Sequence, residues 1–179
     1  MGAWLESPNS TYLCHLLEQR RKSVGLGQEA VARALGVAQS YVCDYEAARK
    51  RLDFFQLEWI AGKIGTTRGS VLWDYEQHVR SEGVALPRPL SEAERDALLS
   101  VVSPSEDAAV QLGMLLEALR ERLSPKRRQV DIGRTLGRPQ SWVSKYEHGA
   151  VRLDVIQLEE VATEVKVTLS DLDAMLTRR

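Results

Sequence analysis

The stretch QEAVARALGVAQSYVCDYEAARKRLDFFQLEWIA, Gln28 to Ala61, returns 101 residues later as QVDIGRTLGRPQSWVSKYEHGAVRLDVIQLEEVA, Gln129 to Ala162. The two segments align over 34 positions without a gap, and sixteen positions are identical. Unrelated segments of this usage would share roughly two. The shared residues include Leu35/Leu136, Gly36/Gly137, Gln39/Gln140, Ser40/Ser141, Val42/Val143, Tyr45/Tyr146, Glu46/Glu147 and Leu52-Asp53/Leu153-Asp154. The chain is therefore read as two copies of one module.

Helix signals frame each copy. Ser7-Pro8 pairs an N-cap with a proline at the first helical position and opens a helix to about Lys22. Further helices are expected over Gln28 to Leu35, Gln39 to about Ala47, Asp53 to Ile64 and Arg68 to about Val79, with a turn at Gly36-Val37-Ala38. In the second copy Ser103-Pro104-Ser105-Glu106 reads as a capping box that opens its first helix. Ser124-Pro125 looks like a cap and first position four residues earlier than the repeat requires, so an extra helical turn carrying Lys126 to Arg128 is expected there. That turn would put Gln129 inside its helix. Strand-like alternation is absent, and the fold class is all-α. Gly83 to Leu90 (GVALPRPL) holds two prolines and reads as an extended linker. Ser91-Glu92-Ala93-Glu94 then opens a short helix to about Val102, which either braces one module on the other or leaves a loose tether. The domain boundaries are 1–80, a linker with a short helix at 81–103, and 104–179.

Composition bounds the function. At 179 residues and 20.1 kDa the chain has room for one full domain or two small ones. Charged residues are 27%, hydrophobic residues 44% and mean hydropathy is -0.28, an ordinary globular balance. A net charge of -1 gives no global basic field, so a polyanion must be met by a local patch. The start MGAWLESPNS lacks a basic segment followed by an apolar run, no stretch approaches the length of a membrane span, and Glu6 stands where a myristoylation signal needs Ser or Thr. A cytoplasmic protein without a membrane role is expected. Cys14 and Cys43 have no CxxC spacing and read as small core or surface residues in a reducing compartment. Gly25-Leu-Gly27-Gln-Glu-Ala30 satisfies a dinucleotide fingerprint but follows the helical LLEQRRKS rather than a strand. His15, His78 and His148 stand apart, without metal-ligand spacing, and neither GxSxG nor a P-loop occurs. No enzyme, cofactor, metal or small-molecule ligand is expected.

Two short helices joined by a Gly-containing three-residue turn, the second starting Gln-Ser, describe a helix-turn-helix, whose second helix enters the DNA major groove. Leu35 and Val42, like Leu136 and Val143, would pack the pair on the module core. Gln39, Ser40, Cys43 and Asp44, and in the second copy Gln140, Ser141, Ser144 and Lys145, fall on the other face. Gln-Ser also suits the start of a helix for capping reasons alone.

LLEQRRKSVGLGQEAVARALGVAQSYVCDYE and LGRPQSWVSKYEHGAVRLDVIQLEEVA resemble the phage-repressor, Cro-like (XRE) helix-turn-helix domain, over roughly Thr11 to Gln77 and Asp107 to Leu176. The resemblance implies two tandem five-helix lambda-repressor-like domains, a prokaryotic or phage origin, and double-stranded DNA as the partner. It gives Gln28 or Gln129 a phosphate, held partly by the helix N-terminus. It sends Gln39, Ser40 and Asp44, and Gln140, Ser141, Ser144 and Lys145, to base edges, where Gln can pair with adenine and Lys with guanine. Arg49-Lys50-Arg51, His148 and Arg152 would line the backbone. In similar domains Glu46 and Glu147 bridge to an arginine of the first helix, here Arg21 in copy one and Arg120 or Arg122 in copy two. Tyr45 and Tyr146 read most simply as core.

The copies differ in charge. From Lys126 to Lys145 the second sets Lys126, Arg127, Arg128, Arg134, Arg138 and Lys145 against Asp131 alone, the local basic surface that phosphate contacts need. Between Gln28 and Glu46 the first offers Arg33 against Glu29, Asp44 and Glu46. Asp44 can accept from cytosine N4 but is repelled by the backbone. Ala47-Ala48 replaces His148-Gly149, losing the glycine that suits a left-handed residue, and Arg49-Lys50-Arg51 partly compensates. Copy one is thus either a second DNA reader or a protein-contact module. Trp4, Phe54, Phe55, Trp59 and Trp73 all belong to it. Core packing is the common fate of such residues, whereas exposure would mark an interface with a protein partner, a second copy or the other module. The function expected is a sequence-specific DNA-binding transcriptional regulator of repressor type. The alternative is an antitoxin-like or anti-activator interaction protein whose N-terminal module binds a protein.

Overall fold

The structure, a computed structural model, describes residues 7–177, so Trp4 lies outside the described residues. Those residues form eleven α-helices and no strand, the all-α fold that the sequence pattern predicts. The helices are α1 (Pro8–Ser23), α2 (Gln28–Leu35), α3 (Gln39–Glu46), α4 (Phe54–Lys63), α5 (Arg68–Ser81), α6 (Glu92–Val101), α7 (Ala108–Glu121), α8 (Gln129–Thr135), α9 (Gln140–Glu147), α10 (Val155–Glu164) and α11 (Leu169–Thr177). The chain divides into two compact units, one running to Ala85 with Asp154–Ile156, the other made of Leu86–Leu153 and the chain from Gln157. None of the described helices is long and apolar enough to cross a membrane.

In the N-terminal unit α1 starts where Ser7 is extended and Pro8 supplies a helical φ, and it closes on Arg20, Arg21 and Lys22, whose charge complements the helix dipole. Leu13, Leu17 and Arg21 are buried at four-residue spacing, which lays one stripe of α1 on the core. α4 carries a full capping box, Asp53 accepting from the Phe55 and Gln56 N–H groups while Gln56 bonds back to Asp53 N–H. Leu52, Phe54, Leu57, Ile60, Val71, Leu72 and Tyr75 are fully buried with them, each large apolar side chain contributing about 1.5–3 kcal/mol. Arg68 is drawn into this core because its guanidinium lies 3.9 Å over the Phe54 ring and reaches Glu58 at 2.8 Å.

The C-terminal unit corrects two expectations. The capping box at Ser103 does not form. α7 starts at Ala108, and Asp107 caps it by accepting from the Ala109 and Val110 N–H groups. The apolar stripe Ala109, Leu112, Leu116 and Leu119 begins only there, so the helix starts where it has a face to bury. Ser105 serves the approach instead, donating its N–H to Gln111 Oε1 at 2.7 Å. Nor does an extra turn form on α8. Arg128 is the N-cap and Gln129 the first helical residue, because the Asp131 carboxylate holds Arg128 N–H at 2.9 Å and Arg127 C=O accepts from Arg120 Nη1 at 3.1 Å.

The short helix α6 is a member of this unit. It packs on α7 and α11, and the buried Asp171 accepts from Leu90 N–H at 3.0 Å and from Arg95 Nη1 at 3.3 Å. Asp171 thus fixes the end of the Pro-containing segment to α11.

Candidate nucleic-acid interface

Both helix pairs, α2–α3 and α8–α9, are joined by turns centred on glycines in the left-handed region, Gly36 at φ 65° and Gly137 at φ 63°. Val37 N–H and Arg138 N–H return to Ala32 C=O and Gly133 C=O, closing the helix ends. Val31, Leu35 and Val42 are buried in the first pair, Ile132 and Val143 in the second, while Leu136 is only half-buried. The opposite face leaves Gln39, Ser40, Gln140, Ser141 and Lys145 exposed and Cys43, Asp44 and Ser144 half-buried.

A buried ion pair holds each second helix to the first helix of its unit. Arg21 Nε and Nη2 donate to Glu46 Oε1 and Oε2 at 2.6 and 2.8 Å. Arg120, not Arg122, makes the same fork on Glu147 at 2.6 and 3.0 Å. The forks also collect the first glutamine of α2 and α8, with Gln28 Nε2 on Glu46 Oε2 at 2.9 Å and Gln129 Nε2 on Glu147 Oε2 at 2.7 Å. In the second unit Gln140 Nε2 extends the chain by donating to Gln129 Oε1. Each carboxylate holds its arginine above the usual guanidinium value. Such a bidentate buried pair orients two planar groups at once, and removal of either partner leaves a buried charge. Tyr45 and Tyr146 are buried beside these carboxylates, and burial pushes both phenols up.

The basic residues separate into engaged and exposed ones. Arg127 is the exception within the expected patch, because its guanidinium is bound by Glu164, Asp131 C=O and Thr135 Oγ1. It holds α8 against α10 rather than facing outward. Arg128 and Arg134 share Asp131 at 3.3 and 3.8 Å and remain 76% and 75% exposed. The Asp131 carboxyl is held below its usual range, chiefly by Arg128 N–H. Lys126 stands 3.5 Å from Glu121, Arg138 lies 5.6 Å over the Trp142 ring, and Lys145 and Arg152 are exposed. His148 Nδ1 is bonded to Ser144 C=O at 2.7 Å.

In the first unit the cations are matched by acids. Arg33 pairs with Glu29 at 2.8 Å, Arg49 with Asp44 at 3.0 Å and Arg51 with Asp154 of the same unit at 3.4 Å, while Lys50 lies 4.8 Å over the Tyr41 ring. The loop after α3 also corrects a sequence expectation. Ala48 adopts φ 54° although it is not glycine, the conformation that Gly149 takes at φ 71°. Both loops close in the same way: Ala48 N–H bonds Tyr45 C=O and Arg49 N–H bonds Asp44 C=O, as Gly149 bonds Tyr146 and Ala150 bonds Lys145. This is the Schellman arrangement, and the side chain that follows the left-handed residue lands beside the one five positions earlier. The Asp44–Arg49 pair follows from it, and the five-residue spacing was its signal in the sequence. Of the aromatic residues, Phe54 is buried and Phe55 half-buried, whereas Trp59 and Trp73 are 41% and 56% exposed.

Residues 13–73 match the family model of a helix-turn-helix domain, about a third of the chain, and the matched span includes α2, the turn and α3 whole. No curated protein and no solved structure matches the chain. The N-terminal unit thus carries a helix-turn-helix domain, the class in which a second helix docks in the DNA major groove. Among the described residues no three His, Cys, Asp or Glu side chains are grouped to hold a metal ion.

Proposed function

We propose that the chain is a sequence-specific regulator of transcription, of repressor type, that binds double-stranded DNA through two tandem Cro-like (XRE) helix-turn-helix domains, 1–80 and 104–179, in a prokaryotic or phage-infected cytoplasm. The observation that carries this reading is the repeated anchor: in both units the same Arg–Glu–Gln cluster fixes the helix that begins Gln-Ser, with its polar face outward. Gln39, Ser40 and Asp44, and Gln140, Ser141, Ser144 and Lys145, would read base edges. Gln28 and Gln129, each first in its helix, would meet a phosphate through the helix N-terminus, and Lys126, Arg128, Arg134, Arg138, His148 and Arg152 would follow the backbone of the second sub-site. Because the two reading helices differ, one chain favours an asymmetric two-part site. Occupancy of that site would exclude polymerase.

Selection of duplexes from a random pool by the full-length protein tests the proposal. The expected result is a two-part site whose affinity falls steeply with salt. Absence of enrichment at low salt would remove it. The exposed Trp59 and Trp73 support a second reading, a protein partner or second copy docked on the N-terminal unit. They lie on α4 and α5 rather than on α3.

A further inference from the structure

The outer face of α3 and the loop that follows it carry a preformed pair of opposite charges, Asp44 and Arg49. Arg49 Nε and Nη2 both donate to Asp44 Oδ1, at 3.1 and 3.0 Å, and Nη2 also approaches Cys43 Sγ at 3.4 Å. Among the described residues Asp44 Oδ2 and Arg49 Nη1 take no hydrogen bond, and the two side chains are 45% and 59% exposed. The pair is not a chance surface contact, because the backbone imposes it. Arg49 N–H is bonded to Asp44 C=O at 2.8 Å across the left-handed Ala48. A non-glycine residue there is strained by roughly 1–2 kcal/mol, and such strain persists only where the surroundings over-determine the conformation.

In the major groove a G·C pair presents guanine N7 and O6 as acceptors beside the cytosine N4 amine as donor. An A·T pair puts a donor where guanine has O6 and an acceptor where cytosine has its amine, so both halves of an Asp–Arg pair meet the wrong partner. Resting on the DNA-binding reading above, we infer that Asp44 and Arg49 together read one G·C base pair in the sub-site of the N-terminal unit. Arg49 donates to guanine O6 and N7 through Nη1 and through Nη2, whose second proton exchanges its weak bond to the Cys43 sulfur for the base, while Asp44 Oδ2 accepts from cytosine N4. The Asp44 carboxylate, repelled by phosphates on its own, is accepted near the duplex because Arg49 neutralises it. The reading is particular to this unit, since the matching positions of the second copy are Lys145 and Ala150.

The test uses the full-length chain and the site it selects from random duplexes, with the candidate base pair exchanged for A·T, and with guanine replaced by 7-deazaguanine. The unmodified protein is expected to prefer G·C over A·T at one position of one sub-site by about tenfold. Removal of N7 should weaken binding to the G·C site without any change to the protein, while the remaining preference over A·T, which keeps a purine N7, rests on O6 and the cytosine amine. Arg49→Ala and Asp44→Ala should each flatten it, while the second sub-site, dependent on Lys145, is unchanged. If the protein selects a site but Arg49→Ala leaves every G·C preference intact and 7-deazaguanine leaves binding intact, the inference is overturned and the DNA-binding proposal stands. If no duplex is selected at low salt, both fall together.

Discussion

Replacing Gly113 of α7 with alanine sets helix propensity against packing, and the structure says which wins. An added Cβ would lie 2.3 Å from Glu147 C=O and 2.5 Å from Tyr146 C=O, the last turn of α9. Both obstacles are backbone, and opening them to an ordinary contact takes a shift of about 1 Å at the helix end that carries the Arg120–Glu147 fork. Overpacking of this kind costs about 3–4 kcal/mol, at or beyond the top of the usual range, and alanine returns about 1 kcal/mol of helix propensity. The net loss is about 2–3 kcal/mol, a fall in Tm of roughly 10–20 °C for a unit of this size. Gly62 on α4 is the control, because nothing lies within 4 Å of a Cβ there, so Gly62→Ala should hold or raise stability by up to about 1 kcal/mol. Thermal and urea unfolding of the full chain followed by circular dichroism compares the two. A Gly113→Ala protein as stable as the parent would refute the close approach of α7 and α9.

Arg127→Ala is expected to lower stability, by about 1–3 kcal/mol, because it removes the tie between α8 and α10, yet to leave the salt dependence of DNA binding unchanged. Arg128→Ala should do the reverse, reducing the slope of log affinity against log salt by about one without moving the urea midpoint; equal slopes for the two variants would remove the distinction between engaged and exposed cations. The Glu94 carboxyl is held down to about 2, first by Arg88, then by the N–H and hydroxyl of Ser91 that complete the α6 capping box. With its folded pKa depressed, its contribution is present above the ordinary glutamate value near 4.5 and is lost as pH falls from there toward 2. A carboxyl titration by NMR should place its midpoint near 2 in the parent and back toward 4.5 in Arg88→Ala, and an unshifted parent value would break the argument.

Local chemistry made most of the fold legible. The spans 28–35 and 39–46, the glycine turns and the Ser91 cap depend on residues close in sequence or on one repeated pattern, whereas the Arg21–Glu46 pair, 25 positions apart, was expected only from the family resemblance. What misled were signals of equal local merit. Ser103-Pro104 and Ser124-Pro125 are both acceptable helix starts, and neither is used, because Asp107 and the Asp131 carboxylate cap where the buried stripe begins. Ala48 misled in the other direction: the loop closure imposes a left-handed residue whether or not glycine is there.

The charge inventory of the site was in the sequence, but its allocation was not. A count of cations cannot tell Arg127, bound by Glu164 from 37 positions away, from Arg128, which stays outside. It cannot tell Arg120 from Arg122 as the partner of Glu147 either. The amino-acid sequence determined by itself that the chain is helical and where the glycine turns of the two helix pairs fall, since these rest on short spacings, and that one module recurs, since sixteen identities stand at a constant offset of 101 residues. Only the tertiary structure decided which charges are neutralised, which tryptophans stay exposed and how close α7 lies to α9, because those depend on groups brought together across tens of residues by burial of a common core.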